Sequence, residues 1–132
     1  MDKKVILCVD DEKFILDTLR TQIINNYGSD YECEIAENAE DAMELIDEFQ
    51  EDEQFVIVIV SDWLMPGTKG DEFLINIHKR YPKIVKVMLT GQADADAIER
   101  TTKEADLHRC LQKPWTEEEL IETIESGLNK NE

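Results

Sequence analysis

The segment Phe55-Val56-Ile57-Val58-Ile59-Val60 contains no polar residue, and every residue after Phe55 is β-branched. Branching at Cβ restricts χ1 and suits a pleated surface, so the run reads as a strand. A strand with one face in water alternates apolar and polar residues. This one does not, which predicts a strand covered on both faces at the centre of a sheet. A parallel sheet between two helix layers supplies that cover.

The rest of the chain repeats the theme. Lys4 to Val9 is a second apolar run, followed by a helical spacing of Ile15, Leu19 and Ile23 that Gly28 can stop. Tyr31 to Ala36 reads as a strand, and Asn38 as the cap of a helix whose face is Ala39, Ala42, Met43, Ile46 and Phe49. After the central run, Asp71 to Arg80 reads as a helix closed by Pro82, and Ile84 to Leu89 as a fourth strand. Ala93 to Glu104 reads as a helix with a weak apolar face of alanines and Ile98. His108 to Gln112 is a short fifth strand. Thr116 and Glu119 form a capping box ahead of a helix with inner face Leu120, Ile121, Ile124 and Leu128. Strand and helix alternate from end to end with no linker or repeat, which predicts right-handed βαβ units in one α/β domain spanning 1–132.

Composition narrows the function classes. The 31 acidic and 14 basic residues give a net charge of -17. A phosphate backbone needs a basic face, so direct nucleic-acid binding by this domain is not expected. No apolar run approaches the roughly 20 residues that a membrane helix needs. Met1-Asp2-Lys3-Lys4-Val5 lacks a signal-peptide layout, and the expected location is cytoplasmic. Cys8, Cys33 and Cys110 lie in strand-like segments without a Cys-x-x-Cys pair, and read as small buried thiols.

In a doubly wound sheet, ligands bind beyond the carboxyl ends of the strands, near the switch in strand order. The residues there are Asp10-Asp11-Glu12, Ser61-Asp62-Trp63, Thr90-Gly91 and Lys113-Pro114. Thr90 follows Asp62 by 28 residues and Lys113 follows Thr90 by 23, one βα unit each. Three crowded carboxylates repel one another unless a cation joins them, and an oxygen-only ligand set selects a hard ion such as Mg²⁺. A carboxylate beside such an ion is a competent nucleophile toward phosphorus, giving an acyl phosphate. A lysine ammonium and a threonine hydroxyl can each take a phosphoryl oxygen. Taken one at a time, Asp10 and Asp11 also suit a helix cap, Thr90-Gly91 a turn, and Lys113 a surface position. Trp63 and Trp115 read as packing residues.

Asp10-Asp11, Asp62 in Asp62-Trp63-Leu64-Met65-Pro66, Gly70 eight residues later, Thr90-Gly91 and Lys113-Pro114 together resemble the signature of response-regulator receiver domains. The resemblance covers about 4–128. It implies a flavodoxin-like doubly wound five-stranded parallel sheet, (βα)5, with strand order 2-1-3-4-5. It also implies a signalling domain rather than an enzyme. Asp62 would be phosphorylated from a histidine kinase or phosphotransfer protein. Asp11, Asp62 and the backbone carbonyl of Leu64 would ligate Mg²⁺ (or Mn²⁺), with Asp10 helping directly or through water. Lys113 would contact the phosphoryl group from before a cis proline, and Thr90 would swing toward it. The fourth helix, fifth strand and fifth helix would then form the output face, for an output domain, a partner protein or a homodimer. Leu89-Thr90-Gly91-Gln92-Ala93 and Lys113-Pro114-Trp115 resemble receivers that precede cyclic-nucleotide enzymes.

The chain departs from that pattern at Cys110, where many receivers carry an aromatic residue that rotates with the threonine. Leu64 and Gln92, each two residues past a site residue, are the positions that help or hinder the hydrolytic water. Leu64 cannot orient one, which predicts a long-lived phosphoryl state. Three other readings compete. A degenerate receiver would serve only as a docking module, but the acid, threonine and lysine set is complete. A Mg²⁺-dependent aspartate-nucleophile phosphohydrolase of the haloacid-dehalogenase kind needs Asp-x-Asp, and here the acids are adjacent. A nucleotide- or flavin-binding module needs a Gly- or Ser/Thr-rich phosphate loop where this chain has Asp10-Asp11-Glu12-Lys13.

Overall fold

The computed structural model of the chain describes residues 4–51, 55–91 and 95–130. The elements run β1 (Lys4–Val9), α1 (Lys13–Tyr27), β2 (Glu32–Ala36), α2 (Ala39–Glu51), β3 (Phe55–Asp62), α3 (Gly70–Arg80), β4 (Val85–Thr90), α4 (Ala95–Ala105), β5 (Arg109–Gln112) and α5 (Glu117–Lys130). All strand pairs are parallel, in the order β2-β1-β3-β4-β5. This is the flavodoxin-like fold that the sequence led us to expect, with β3 at the centre. The chain leaves β1 toward β2 and returns past it to β3, so the switch in strand order lies between the ends of β1 and β3.

Alternation along each strand divides the core. Val5, Leu7, Val9 and Ile59 face α2, α3 and α4, against Ala42, Ile46, Phe73, Leu74, Ile77 and Ala105. Ile6, Cys8, Val58 and Val60 face α1 and α5, against Leu16, Leu19, Ile23, Leu120 and Ile124. The central strand is continuously covered only from Val58 toward the site: Val58 to Asp62 are buried, while Phe55 is 42% exposed. It is also longer than its apolar run, because Ser61 and Asp62 continue the ladder opposite Met88 and Leu89 of β4.

The punctuation read from the sequence is realised. Gly28 takes φ 58 and donates its N–H to Ile24 O at 2.8 Å, a conformation costly for a residue with Cβ. Asn38 Oδ1 accepts the Asp41 N–H at 2.8 Å. The Thr116 hydroxyl accepts the Glu119 N–H while Glu119 Oε1 accepts the Thr116 N–H, both at 3.1 Å. The first two residues of the expected fourth helix, Ala93 and Asp94, and Gln92 before it, lie outside the described residues. From Ala95 onward α4 buries only Ala97, Thr101 and Ala105. One cysteine differs from expectation: Cys8 and Cys33 are buried, but Cys110 is half-buried near the edge of the sheet. Among the described residues, no helix is long and apolar enough to cross a membrane.

Candidate functional site

The sheet brings the expected acids together at one end. Asp10 follows β1 directly, and its N–H donates to Ala36 O of β2 at 3.2 Å. Its side chain is wholly buried, with Oδ1 accepting the Glu12 N–H at 2.9 Å. Capping does not explain these acids: the cap position of α1 is Glu12, and no side chain caps that helix. Asp62, the last residue of β3, is also buried, whereas Asp11 is exposed at the mouth. Asp10, Asp11 and Asp62 each offer a carboxylate oxygen, and these oxygens lie within 4.8 Å of one another.

Lys113 closes the group. The Lys113 N–H donates to Thr90 O at 2.8 Å, tying the end of β5 to the end of β4, and the Lys113–Pro114 peptide is cis. Its Nζ sits 3.0 Å from Asp10 Oδ2 and 3.1 Å from Asp62 Oδ1. A buried charge is costly unless paired, and the ammonium pairs both buried carboxylates at once. Three carboxylates against one ammonium still leave two negative charges uncompensated.

The titration behaviour carries the same imbalance. Burial raises the Asp62 carboxyl above its ordinary range, the Asp10 charge adds to this, and Lys113 opposes it without winning. Burial likewise raises Asp10, against the Glu12 N–H and Lys113. For Lys113, burial disfavours the ammonium, but the hydrogen bond to Asp10 and the charges of Asp62 and Asp10 prevail and hold its pKa up. The pocket therefore holds its acids at a cost that a further cation would relieve. Oxygen donors only, crowded within 4.8 Å and open to solvent at Asp11, fit a hard divalent ion that retains water ligands.

The remaining expected residues lie around this group. Thr90 ends β4, buried, with Oγ1 3.8 Å from Cys110 Sγ, a weak sulfur contact. Leu64 lies two residues past Asp62 on the β3–α3 loop, its side chain 61% exposed. That loop is turned back by Gly70, whose N–H donates to Trp63 O at 2.7 Å. A Cβ on Gly70 would land on the Asp62 carbonyl oxygen and 2.8 Å from Trp63 Cα, so the close approach requires glycine. Trp63 packs against the core, and its buried Nε1 has no partner among the described residues. Trp115 donates from Nε1 to Gln22 Oε1 at 2.8 Å. One contact had no signal in the sequence: Thr68 of the same loop donates its hydroxyl to Glu40 Oε1 of α2 at 2.8 Å, across 28 residues.

A family model for the response regulator receiver domain matches residues 6–125. The hydrogenase transcriptional regulatory protein HoxA of Cupriavidus necator is 31% identical over 123 residues, which are 93% of this chain and 24% of that protein. The chain thus spans about a quarter of the length of such curated relatives. Among solved structures, the signal receiver domain of an HD domain-containing protein from Pseudomonas fluorescens Pf-5 matches with a TM-score of 0.87 at 27% identity, covering 98% of this chain and 97% of that one. The CheY-like response regulator receiver domain protein of Methanospirillum hungatei JF-1 matches at 0.84 and 31%, with coverage of 98% and 97%.

Proposed function

This chain belongs to the response regulator receiver domain family, and from that premise we propose that Asp62 accepts a phosphoryl group from a histidine kinase or phosphotransfer protein. A carboxylate oxygen of Asp62 forms the new O–P bond as the P–N bond to the donor imidazole breaks. The product is an acyl phosphate on this chain and a free imidazole on the donor. The observation that carries the reading is Lys113 Nζ at 3.0 and 3.1 Å from Asp10 and Asp62, with Asp11 completing the acid cluster. A lone structural ion pair does not call for a third carboxylate in repulsion with the first two.

Asp10, Asp11, Asp62 and the Leu64 carbonyl are the residues that would hold Mg²⁺ (or Mn²⁺), which when bound offsets the negative charge of the carboxylates and of the phosphoryl oxygens. Lys113 serves as a point charge: its ammonium moves from its carboxylate partners to a phosphoryl oxygen. Thr90 exchanges its weak contact with Cys110 for a hydrogen bond to another phosphoryl oxygen. That movement pulls on the end of β4 and on α4 beyond it. Support for α4 as the responding element is that the side chains it buries, Ala97, Thr101 and Ala105, are small, so that it can shift against α3 with little repacking. The surface of α4, β5 and α5 then controls an output domain or a separate partner. The chain acts as a phospho-acceptor in the cytoplasm and turns over no separate substrate.

The test is intact mass after incubation with acetyl phosphate and Mg²⁺. A gain of about 80 Da for one phosphoryl group is expected. It should vanish in Asp62→Asn and when Mg²⁺ is omitted, and phosphate esters should not be hydrolysed. No gain under any condition would leave a docking module and remove Asp62 from its role.

A further inference from the structure

We propose that Glu40, in the first turn of α2, is a positioning residue for the cation site, holding from outside the loop on which Leu64 presents its carbonyl. The inference rests on the receiver reading above.

A backbone carbonyl has no rotamers of its own. It points wherever its peptide plane points, so a loop that supplies one as a ligand must itself be held. The Leu64 side chain does not hold its own peptide, being apolar and 61% exposed. Two restraints act on the near part of the loop: the Gly70 N–H on Trp63 O, and Met65 buried in the core beside α2 and α3. The far part, Gly67 and Thr68, leans on Glu40. Thr68 Oγ1 donates to Glu40 Oε1 at 2.8 Å. Gly67 takes φ 81, and the Cβ it lacks would sit 3.6 and 3.7 Å from the two carboxylate oxygens. Two successive loop residues therefore pack on one carboxylate.

The carboxylate is suited to the place. It stands in the first turn of α2, where the helix dipole favours negative charge. The Thr68 hydroxyl holds its carboxyl below the ordinary range, so it stays an acceptor. The bland alternative is a solvated surface acid in passing contact. A second alternative is that Glu40 simply draws cations by its charge. Both make different forecasts from a positioning role.

The discriminating experiment measures Mg²⁺ binding by calorimetry, together with the initial rate of phosphorylation from acetyl phosphate as Mg²⁺ is varied. Glu40→Ala is expected to raise the Mg²⁺ dissociation constant and the half-saturating Mg²⁺ roughly fivefold, the worth of one ordinary hydrogen bond. The rate at saturating Mg²⁺ should stay at the parent value. Thr68→Val removes the same hydrogen bond and should act in the same direction and to a similar extent, and Thr68→Ser should restore parent behaviour. Glu40→Gln keeps an acceptor and loses the charge, and should stay near the parent. An unchanged dissociation constant in Glu40→Ala would overturn the proposal, and so would a Glu40→Gln as weak as Glu40→Ala. A parent that binds no Mg²⁺ would instead overturn the receiver reading itself, which separates the two failures.

Discussion

Gly70→Ala is the substitution whose cost follows most directly from the geometry. The added methyl would overlap the Asp62 carbonyl oxygen and press on Trp63 Cα at 2.8 Å. Both are backbone atoms, so no side chain can swing aside, and α3 must retreat from the end of β3. Overpacking of this kind costs about 1–3 kcal/mol. The retreat also strains the 2.7 Å bond from the Gly70 N–H to Trp63 O, worth about 1 kcal/mol. Against this, alanine at the start of a helix returns at most about 1 kcal/mol over glycine. The net loss is about 1–3 kcal/mol. With an unfolding entropy of about 2.1 cal/mol/K per residue over 132 residues, or about 0.28 kcal/mol/K, the melting temperature should fall by roughly 4–11 °C. Thermal and urea melts check this, with Gly91→Ala as control, because a Cβ at Gly91 meets nothing within 4 Å among the described residues. The displaced atoms belong to Asp62 and Trp63, so phosphorylation from acetyl phosphate should slow even at saturating Mg²⁺. A Gly70→Ala protein that melts with the Gly91→Ala control would refute the close-approach argument.

Other outcomes follow from the pocket's charge. Asp62 has a folded pKa raised above its unfolded value, so its contribution to stability is present at low pH and lost as pH rises through the folded pKa. In EDTA, Asp62→Asn should therefore be more stable than the parent at neutral pH, and the gap should narrow as pH falls toward the ordinary carboxylate range; a widening gap would reverse the sign. Lys113 is likewise raised, so its contribution persists through neutral pH and is lost only in strong alkali. Mg²⁺ should raise the parent's melting temperature with concentration as a ligand of the folded state does, and Asp11→Asn should abolish most of that rise. Cys110→Ala should leave acyl-phosphate formation intact, because the thiol packs against the core and meets Thr90 Oγ1 only as a weak sulfur contact at 3.8 Å; loss of phosphorylation would refute that reading. With an apolar, exposed Leu64 beside Asp62, the acyl phosphate should outlast the assay, and decay within seconds at 25 °C would count against that reading of Leu64.

The sequence alone determined the architecture. An unbroken β-branched run has one comfortable place, the middle of a covered sheet, and regular alternation of strands with helices leaves few ways to wind it. Caps at Gly28, Asn38 and Thr116 were legible because each depends on residues within a few positions. That Asp10, Asp11, Asp62 and Lys113 come together was legible for a related reason: parallel strands end at the same edge, so polar residues just past the central strands and β5 can meet there. What the sequence did not hold was everything set by packing between distant segments. The burial of Asp10 and the exposure of its neighbour Asp11, the double pairing of Lys113, and the half-exposed Cys110 against Thr90 are of this kind. So is the Glu40–Thr68 bond, which joins residues 28 apart. Local chemistry is written in spacing, but burial and long-range distance exist only once the layers have closed, and these fix the charge balance that the proposed chemistry uses.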